Sequence, residues 1–172
     1  MNVHEAIQAR YSVREYLPTP VPEDLLLKVL DAARLAPSSS NRQDWRFIVV
    51  RDEDRRRRLA AAANNQMWMA GAPVIIAAIG TDPSSIMTCG TPRYAVDASI
   101  AITHMTLAAV EEGLGTCWIG AFSQEKVREI LGVSKDCMVV TIMPLGYHRP
   151  GPSGTRMRKR LEDIVRYETD SG

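Results

Sequence analysis

Apolar side chains recur every three or four positions in several stretches of the chain, which is the spacing of an amphipathic helix. This spacing predicts a short first helix that ends near Arg10 and a second helix that begins at Pro22 and stops before Pro37. A helix over residues 93–112 is apolar nearly all round, which predicts burial in a core or in a subunit interface. Its main apolar stripe comprises Val96, Ile100, Thr103, Leu107 and Val110. Further helices are predicted at 52–63 and 124–131, with a short helix or turn at 161–165.

Unbroken apolar runs predict strands that are covered on both faces of a sheet. Three such runs lie at 47–50, 74–79 and 137–143, and Pro144 should end the third. A fourth strand is predicted at 115–122, where it runs into a loop. Helices around about four strands define an α/β or α+β sandwich.

Polar and proline-rich stretches between these elements predict three irregular segments. Residues 17–22 have prolines at alternate positions, which enforce an extended path. Residues 37–45 carry serine and asparagine side chains that can bond either a ligand or their own backbone. Residues 80–92 form a long loop that contains Cys89 and fits either a lid or a plain linker.

The composition is that of an ordinary globular domain and argues against two classes of partner. The chain has 172 residues, 45% of them hydrophobic and 24% charged, and fits a single domain, 1–172. A formal net charge of +1 provides no bulk field for nucleic acid or for a membrane surface. The basic run at 55–58 follows three acidic residues at helical spacing, which indicates an ion-paired, solvated face. We therefore expect no nucleic acid and no membrane among the partners.

Cysteine usage and the N-terminal sequence favour a cytoplasmic protein. Cys89, Cys117 and Cys137 are odd in number, far apart and without C-x-x-C spacing. We therefore expect reduced thiols, and neither a disulfide framework nor a metal site. No basic region followed by an apolar run marks a signal peptide, and no apolar stretch reaches membrane-spanning length.

Several motifs for catalysis and nucleotide binding are missing from the sequence. The Gly-x-Gly at 113–115 is followed by Trp118 where the third glycine of G-x-G-x-x-G belongs. Walker A, H-E-x-x-H and G-x-S-x-G motifs are also missing. His4, His104 and His148 are too dispersed to suggest a triad, and His104 is predicted to be a hydrogen-bonded core histidine. Chemistry should therefore not depend on a nucleophile of the protein.

The stretch Arg10-Tyr11-Ser12-Val13-Arg14 places two guanidinium groups and a hydroxyl within five residues, directly after the first helix. Arginine forks suit a phosphate dianion, because they supply charge and paired donors together. Cations near a helix C-terminus also complement its macrodipole while they point into water. Taken alone, these residues fit either a phosphate cradle or a solvated surface.

Four stretches together resemble the nitroreductase family of flavin mononucleotide (FMN) enzymes. They are the stretch 10–14, the serine-rich segment 37–47, the segment 113–120 and the basic cluster near Arg158. The resemblance implies an α+β fold, a three-layer α/β/α sandwich with a mixed, mainly antiparallel sheet of four to five strands flanked by helices. It also implies a domain-crossing homodimer with two FMN sites at the subunit interface. NADH or NADPH would reduce the flavin in a ping-pong reaction, and a small organic acceptor, such as a nitroaromatic or a quinone, would oxidise it.

The resemblance assigns the cofactor contacts residue by residue. Arg14 looks like the cation beside the pyrimidine edge of the flavin ring, where positive charge favours acceptance of hydride. The phosphate and ribityl anchors correspond to Arg10, Ser12, Arg158 and Arg160, with Tyr11 and Lys159 counted among the cofactor-binding residues. No catalytic side chain is assigned, because the flavin brings the redox chemistry.

Three further groups of residues complete the implied flavin site. Asn64 aligns with an asparagine that contacts the ring, although Asn65 or Gln66 could take that role. A loop that reaches the flavin from the other subunit resembles Pro37, Ser38, Ser39 and Asn41. A backbone N–H that faces flavin N5 is implied at Gly120 and Ala121.

The sequence departs from the family pattern at two positions. Met67 stands where some members carry a lysine near the ring, and Gly120 stands where many carry a glutamate. The second departure should change acceptor preference and leave flavin binding intact, because the contact to N5 is made by the backbone. Two alternatives remain open: a flavin-binding module without enzymatic activity, or a variant that reduces enones, dehalogenates aromatics or fragments flavin.

Overall fold

The structure is a computed structural model that describes residues 1–150 and 157–170. Its six helices in these ranges are α1 (Val3–Ala9), α2 (Glu23–Arg34), α3 (Glu53–Ala62), α4 (Arg93–Glu111), α5 (Gln124–Leu131) and α6 (Leu161–Ile164). The strands are β1 (Trp45–Val50), β2 (Val74–Gly80), β3 (Gly115–Thr116) and β4 (Met138–Gly146). Short 3-10 turns cover Ser39–Asn41 and Met67–Gly71. No helix within these two ranges has the length and apolar content needed to cross a bilayer.

The four strands form one sheet in the order β1-β2-β4-β3, and each pair of neighbours is antiparallel. A single parallel bridge joins Ser12 to Thr116 at the β3 edge. The prediction of a mixed, mainly antiparallel sheet is therefore confirmed. Its central strand, β2, is buried along its whole length, as its unbroken apolar run indicates.

Alternate residues of β2 enter two separate cores, which gives the molecule three layers. Ile76 and Ala78 pack with residues of α2 and α4 on one face of the sheet. Ile75 and Ala77 pack with residues of α3 and α5 on the other face. The predicted α+β sandwich is confirmed, and all four of these helices lie close to their predicted bounds.

The predicted end of the last strand is wrong. β4 continues through Pro144 to Gly146, with Pro144 opposite Ile75 in the register. The backbone N–H and C=O of Ile142 form hydrogen bonds with Ile119, on the β3 side of β4. Residues two apart on a strand direct their backbone groups to the same side, so the nitrogen of Pro144 also points toward the β3 side. There β3 pairs only with Leu145 and Gly146, so the missing proline N–H breaks no ladder.

The predicted strand 115–122 is also shorter in the structure. Only Gly115–Thr116 forms β3, and Ile119 adds an isolated bridge to Ile142. The remaining residues of that stretch are irregular, and Gly120 and Ala121 are exposed. The apolar run therefore marks burial, since Cys117 and Ile119 belong to the core of one face.

Helix α4 presents to the core a different face from the predicted stripe. Its buried side chains are Asp97, Ala98, Ala101, Ile102, Met105, Thr106 and Ala109. The stripe of Val96, Ile100, Thr103, Leu107 and Val110 is half-exposed or exposed in the single chain. His104 lies half-exposed beside it and has no hydrogen bond within residues 1–150 and 157–170, so the prediction of a hydrogen-bonded core histidine is wrong. The buried face combines small alanines with Ile102 and Met105, so it is not the face of the predicted stripe.

Candidate functional site

The stretch 10–14 runs as an extended segment along the free edge of β3. The backbone N–H of Val13 donates to the Thr116 carbonyl at 2.9 Å, next to the bridge between Ser12 and Thr116. Val13 is buried, whereas Arg14 is exposed and Ser12 is half-buried. Successive side chains of an extended segment point to opposite sides, so the buried valine turns Ser12 and Arg14 outward together.

Gly115 allows three segments to meet at this edge. A Cβ atom at this position would lie 2.5 Å from Cγ2 of Val13 and 2.5 Å from Cδ2 of His148. Such distances are well below van der Waals contact, so only glycine fits without a shift of the neighbours. The close approach brings the stretch 10–14, β3 and the residues after β4 together.

Tyr11 ties the stretch 10–14 to the segment that follows β4. Its hydroxyl lies 2.9 Å from Nδ1 of His148 and donates to the Arg149 carbonyl at 3.3 Å. The two rings meet edge to face with centroids 5.4 Å apart. The segment after β4 is therefore a fixed neighbour of the candidate phosphate cradle, which the sequence did not indicate.

An open cavity of about 390 Å³ lies beside these contacts. It is lined by Tyr11, Ser12, Val13, Arg14, Glu15, Arg149 and Pro150. Arg14 donates to the Ser12 carbonyl at 3.4 Å, so its guanidinium group lies over the stretch from which it projects. Guanidinium and hydroxyl donors around an open cavity suit a phosphate group, so the residues fit the phosphate end of FMN.

The buried thiol of Cys117 directly follows β3. Burial raises the pKa of Cys117, while Arg14, a hydrogen bond from Ser12 and Arg10 all act in the opposite direction. Ser12 and Arg14 line one cavity beside β3, and Arg10 precedes them in the same stretch.

The serine-rich loop is held from inside the protein by Asp97. The Ser39 hydroxyl donates to Asp97 at 2.9 Å, and the Ser39 N–H donates to both carboxylate oxygens at 3.2 and 3.1 Å. Asp97 is only 2% exposed, so these donors compensate a buried charge. Asp97 was not among the predicted site residues, although it is the one acidic residue between Arg93 and Val110 in a largely apolar helix.

The remaining residues of this loop adopt an unusual backbone. Ser40, Asn41 and Gln43 all have positive φ, which non-glycine residues rarely adopt. The Ser38 hydroxyl accepts from the Gln43 N–H at 3.1 Å. The sequence allowed the side chains of this loop to bond either a ligand or their own backbone. In the structure the hydroxyls of Ser38 and Ser39 bond groups of the protein itself, while Asn41 and Pro37 are exposed.

Asn64 and the two backbone positions at 120 and 121 lie in neighbouring loops. Nε2 of Gln66 donates to the Ala121 carbonyl at 3.5 Å, and the Ser123 N–H donates to the Ala62 carbonyl at 2.9 Å. Asn64 and Asn65 both have positive φ and are exposed. The structure therefore brings these predicted ring contacts together.

A side chain at Gly120 would have room. A Cβ atom there would meet only Nε1 of Trp118, at 3.7 Å, which is an ordinary contact. The glutamate of other family members would thus fit this backbone. Met67, the second departure from the family pattern, is 49% exposed.

The basic residues near the C-terminus make local contacts. Arg160 forms ion pairs with Glu162 at 3.0 Å and with Asp163 at 3.6 Å, and Arg158 donates to the Met157 carbonyl. Arg158, Lys159 and Arg160 are all exposed. Within residues 1–150 and 157–170, none of their contacts reaches the stretch 10–14. Their place in the phosphate cradle stays a prediction.

Within one chain, the serine-rich loop and the stretch 10–14 lie at opposite corners of the sheet. The loop precedes β1, whose first residue, Trp45, pairs with Gly80 and through it with the start of β4. Ser12 lies beyond β3, at the far edge, where Thr116 pairs with Leu145 near the end of β4. Strand spacing and rise put these corners roughly 30 Å apart. One chain alone cannot bring both groups to one flavin.

The guanidinium and hydroxyl groups at the edge of this α+β sandwich form a site that a phosphate-bearing cofactor would fit. The chain belongs to the nitroreductase family, whose model matches residues 7–81 and 61–147. Across residues 1–150 and 157–170, no group of three or more His, Cys, Asp or Glu side chains is placed to hold a metal ion.

Individual relatives agree with this assignment over nearly the whole chain. A Methanothermobacter thermautotrophicus protein, provisionally named NADH dehydrogenase/NAD(P)H nitroreductase, is 34% identical and covers 91% of this chain and 82% of its own. The FMN reductase [NAD(P)H] of Bacillus subtilis is 31% identical over 92% of this chain and 70% of its own. A crystal structure of a nitroreductase family protein from Clostridium difficile 630 is 34% identical, covers 98% of this chain and 99% of its own, and has a TM-score of 0.87.

Proposed function

We propose that this protein is an FMN-dependent oxidoreductase that takes hydride from NADH or NADPH and passes electrons to a small organic acceptor in a ping-pong reaction. Family membership and the flavin and NAD(P)H specificity named for its relatives support the class of activity. The observation that carries the proposal is the open cavity that Ser12 and Arg14 line beside β3.

The residues of the cradle hold and orient the cofactor. Arg10 and Ser12 bind the phosphate, together with Arg158, Lys159 and Arg160 from the other end of the chain. Arg14 would hold the pyrimidine edge of the flavin ring, where its positive charge would favour the reduced form. FMN, when bound, supplies the hydride and electron transfer.

The active unit is a homodimer whose two sites each use residues of both chains. Pro37, Ser38, Ser39 and Asn41 lie at the corner of the sheet opposite the stretch 10–14, so a second chain must bring that loop to the cradle. The outer face of α4 supplies an apolar surface for the contact, since Ile100 and its neighbours line an open groove of about 560 Å³. Burying that surface in a two-fold interface would stabilise the pair.

Small aromatic acceptors, such as nitroaromatics and quinones, fit an open flavin face. Gly120 carries no side chain, and the backbone N–H groups of Gly120 and Ala121 would contact the edge of the ring. The same open surface admits the nicotinamide first and the acceptor afterwards, as a ping-pong reaction requires. Asn64 contributes a polar contact from the adjoining loop.

An absorption spectrum of the purified protein, followed by FMN titration and anaerobic mixing with NADH or NADPH, tests the proposal. We expect a yellow protein whose flavin band bleaches with one or both nicotinamides and returns on addition of a quinone or a nitroaromatic. Failure to take up FMN would contradict the proposal. Bound flavin that neither nicotinamide bleaches would favour the non-enzymatic flavin-binding module. Mass spectrometry of the products separates nitro or quinone reduction from enone reduction, dehalogenation or flavin fragmentation.

A further inference from the structure

The segment directly after β4 forms a wall of the candidate phosphate cavity. Arg149 and Pro150 line the same cavity of about 390 Å³ as Ser12 and Arg14. The family resemblance assigns cations from the stretch 10–14 and from 158–160, but none from this segment. Arg149 is therefore a cation of the cavity that the proposed function leaves without a role.

Two contacts fix this wall against the cradle. The Tyr11 hydroxyl bridges Nδ1 of His148 and the carbonyl of Arg149, so the backbone of Arg149 is tied to the stretch that carries Ser12 and Arg14. Cδ2 of His148 also lies over Gly115 at a distance that excludes any side chain there. A cation on a fixed backbone loses less entropy on binding than one on a free loop.

The charges around the cavity leave Arg149 available to an anion. In residues 1–150 and 157–170, five arginines form salt bridges: Arg34, Arg42, Arg51, Arg57 and Arg160 each pair with one or two carboxylates. Within the same ranges neither Arg149 nor Arg14 pairs with an acidic side chain, and Glu15 is the acidic residue in the cavity lining. The Arg149 guanidinium group and the Ser12 hydroxyl, which belong to residues lining the same cavity, match the donor needs of a phosphate monoester.

We propose that Arg149 binds the phosphate of FMN, that the Tyr11–His148 contact positions it, and that it makes the site select FMN over riboflavin. The inference rests on the proposed function, since it concerns the same cavity. A phosphate monoester could also come from the 2′-phosphate of NADPH, and the two sources are distinguished by experiment. Arg149 acts on binding alone and takes no part in the transfer of electrons.

Equilibrium titration of the apoprotein with FMN and, separately, with riboflavin tests the assignment. We expect Arg149→Ala to raise the Kd of FMN by about 10- to 100-fold, the scale of hydrogen bonds to a charged group. The Kd of riboflavin, which lacks the phosphate, should change by less than about twofold. Arg149→Lys should recover part of the FMN affinity, because it keeps the charge and loses the fork. Tyr11→Phe should raise the Kd of FMN by less than Arg149→Ala does.

Arg34→Ala is the matched control, because Arg34 is an equally exposed arginine on α2, away from the cavity. It should leave both Kd values unchanged, and circular dichroism should show each variant folded. Equal losses for FMN and riboflavin, or an unchanged FMN Kd, would overturn the assignment. A change confined to the ratio of NADPH to NADH affinity would overturn it in favour of the nicotinamide phosphate. Wild-type protein that binds no FMN would instead contradict the proposed function itself.

Discussion

Asp97 shows how one buried charge can order a loop that contains the candidate ligand contacts. It accepts three hydrogen bonds from Ser39 and is almost completely removed from solvent. The neighbouring positive-φ residues Ser40 and Asn41 are costly on their own, so a fixed point next to them is needed to hold the loop. The loop conformation therefore depends on a residue nearly sixty positions away.

Asp97→Asn should destabilise the protein by about 1–3 kcal/mol in urea unfolding. The amide carries no charge and replaces one acceptor oxygen by an NH₂ group, so the donors of Ser39 lose part of their hydrogen bonding. Asp54→Asn is the control, since Asp54 is exposed on α3, and should change the unfolding free energy by less than about 0.5 kcal/mol. Equal stability of Asp97→Asn and wild type would show that the Ser39 contacts contribute nothing.

Gly115 and Gly120 make a matched pair at the residue scale. A Cβ atom clashes at Gly115 and meets open space at Gly120. Gly115→Ala should therefore lower the unfolding free energy by about 1–3 kcal/mol, the cost of overpacking, whereas Gly120→Ala should change it by less than about 0.5 kcal/mol. Thermal unfolding of the two variants side by side measures the difference. A Gly115→Ala protein as stable as Gly120→Ala would mean that His148 and Val13 move aside freely.

Helix α4 has two apolar faces, and the sequence identified the wrong one as the core stripe. The core face combines Ala98 and Ala101 with Ile102, while Ile100 and Val96 are half-exposed. Because both faces carry large apolar side chains, periodicity could predict the helix and its need for burial but not which side meets the sheet. The predicted strand end at Pro144 was wrong for a similar reason. β4 can contain proline there because its neighbour β3 is short, and the sequence of β4 alone does not reveal this.

Ile100→Glu should dissociate the proposed homodimer, because it places a charge on the outer face of α4. Light scattering after gel filtration should report the mass of one chain in place of two, and the affinity for FMN should fall with it. Leu27→Glu is the control, since Leu27 is 54% exposed on α2 and lies outside this face. A dimer that survives Ile100→Glu with full FMN binding would place the subunit contact elsewhere.

At the scale of the whole molecule, the sequence predicted the layers better than the arrangement of the candidate site residues. Helical spacing and apolar runs indicated the sandwich, whereas the role of the stretch 10–14, which bridges to β3 through Ser12, stays a prediction. Neither pattern contains strand order, so the separation of the serine-rich loop from that stretch became visible only in the register of the sheet. The proposed role of Arg149 could not be predicted from the sequence either, because it depends on the contact of Tyr11 with His148.

The central claim is that each flavin site combines the cradle of one chain with the serine-rich loop of another. It is tested most directly by a purified heterodimer in which one chain carries Arg10→Ala and the other carries Asn41→Ala. Each variant homodimer has the fault in both sites and should bind FMN weakly. In the heterodimer, the altered cradle of one chain meets the altered loop of the other chain, so both substitutions lie in one site and the second site is intact. We therefore expect one tightly bound FMN per dimer. A heterodimer with no tight site, as expected if each chain builds its own, would contradict the account.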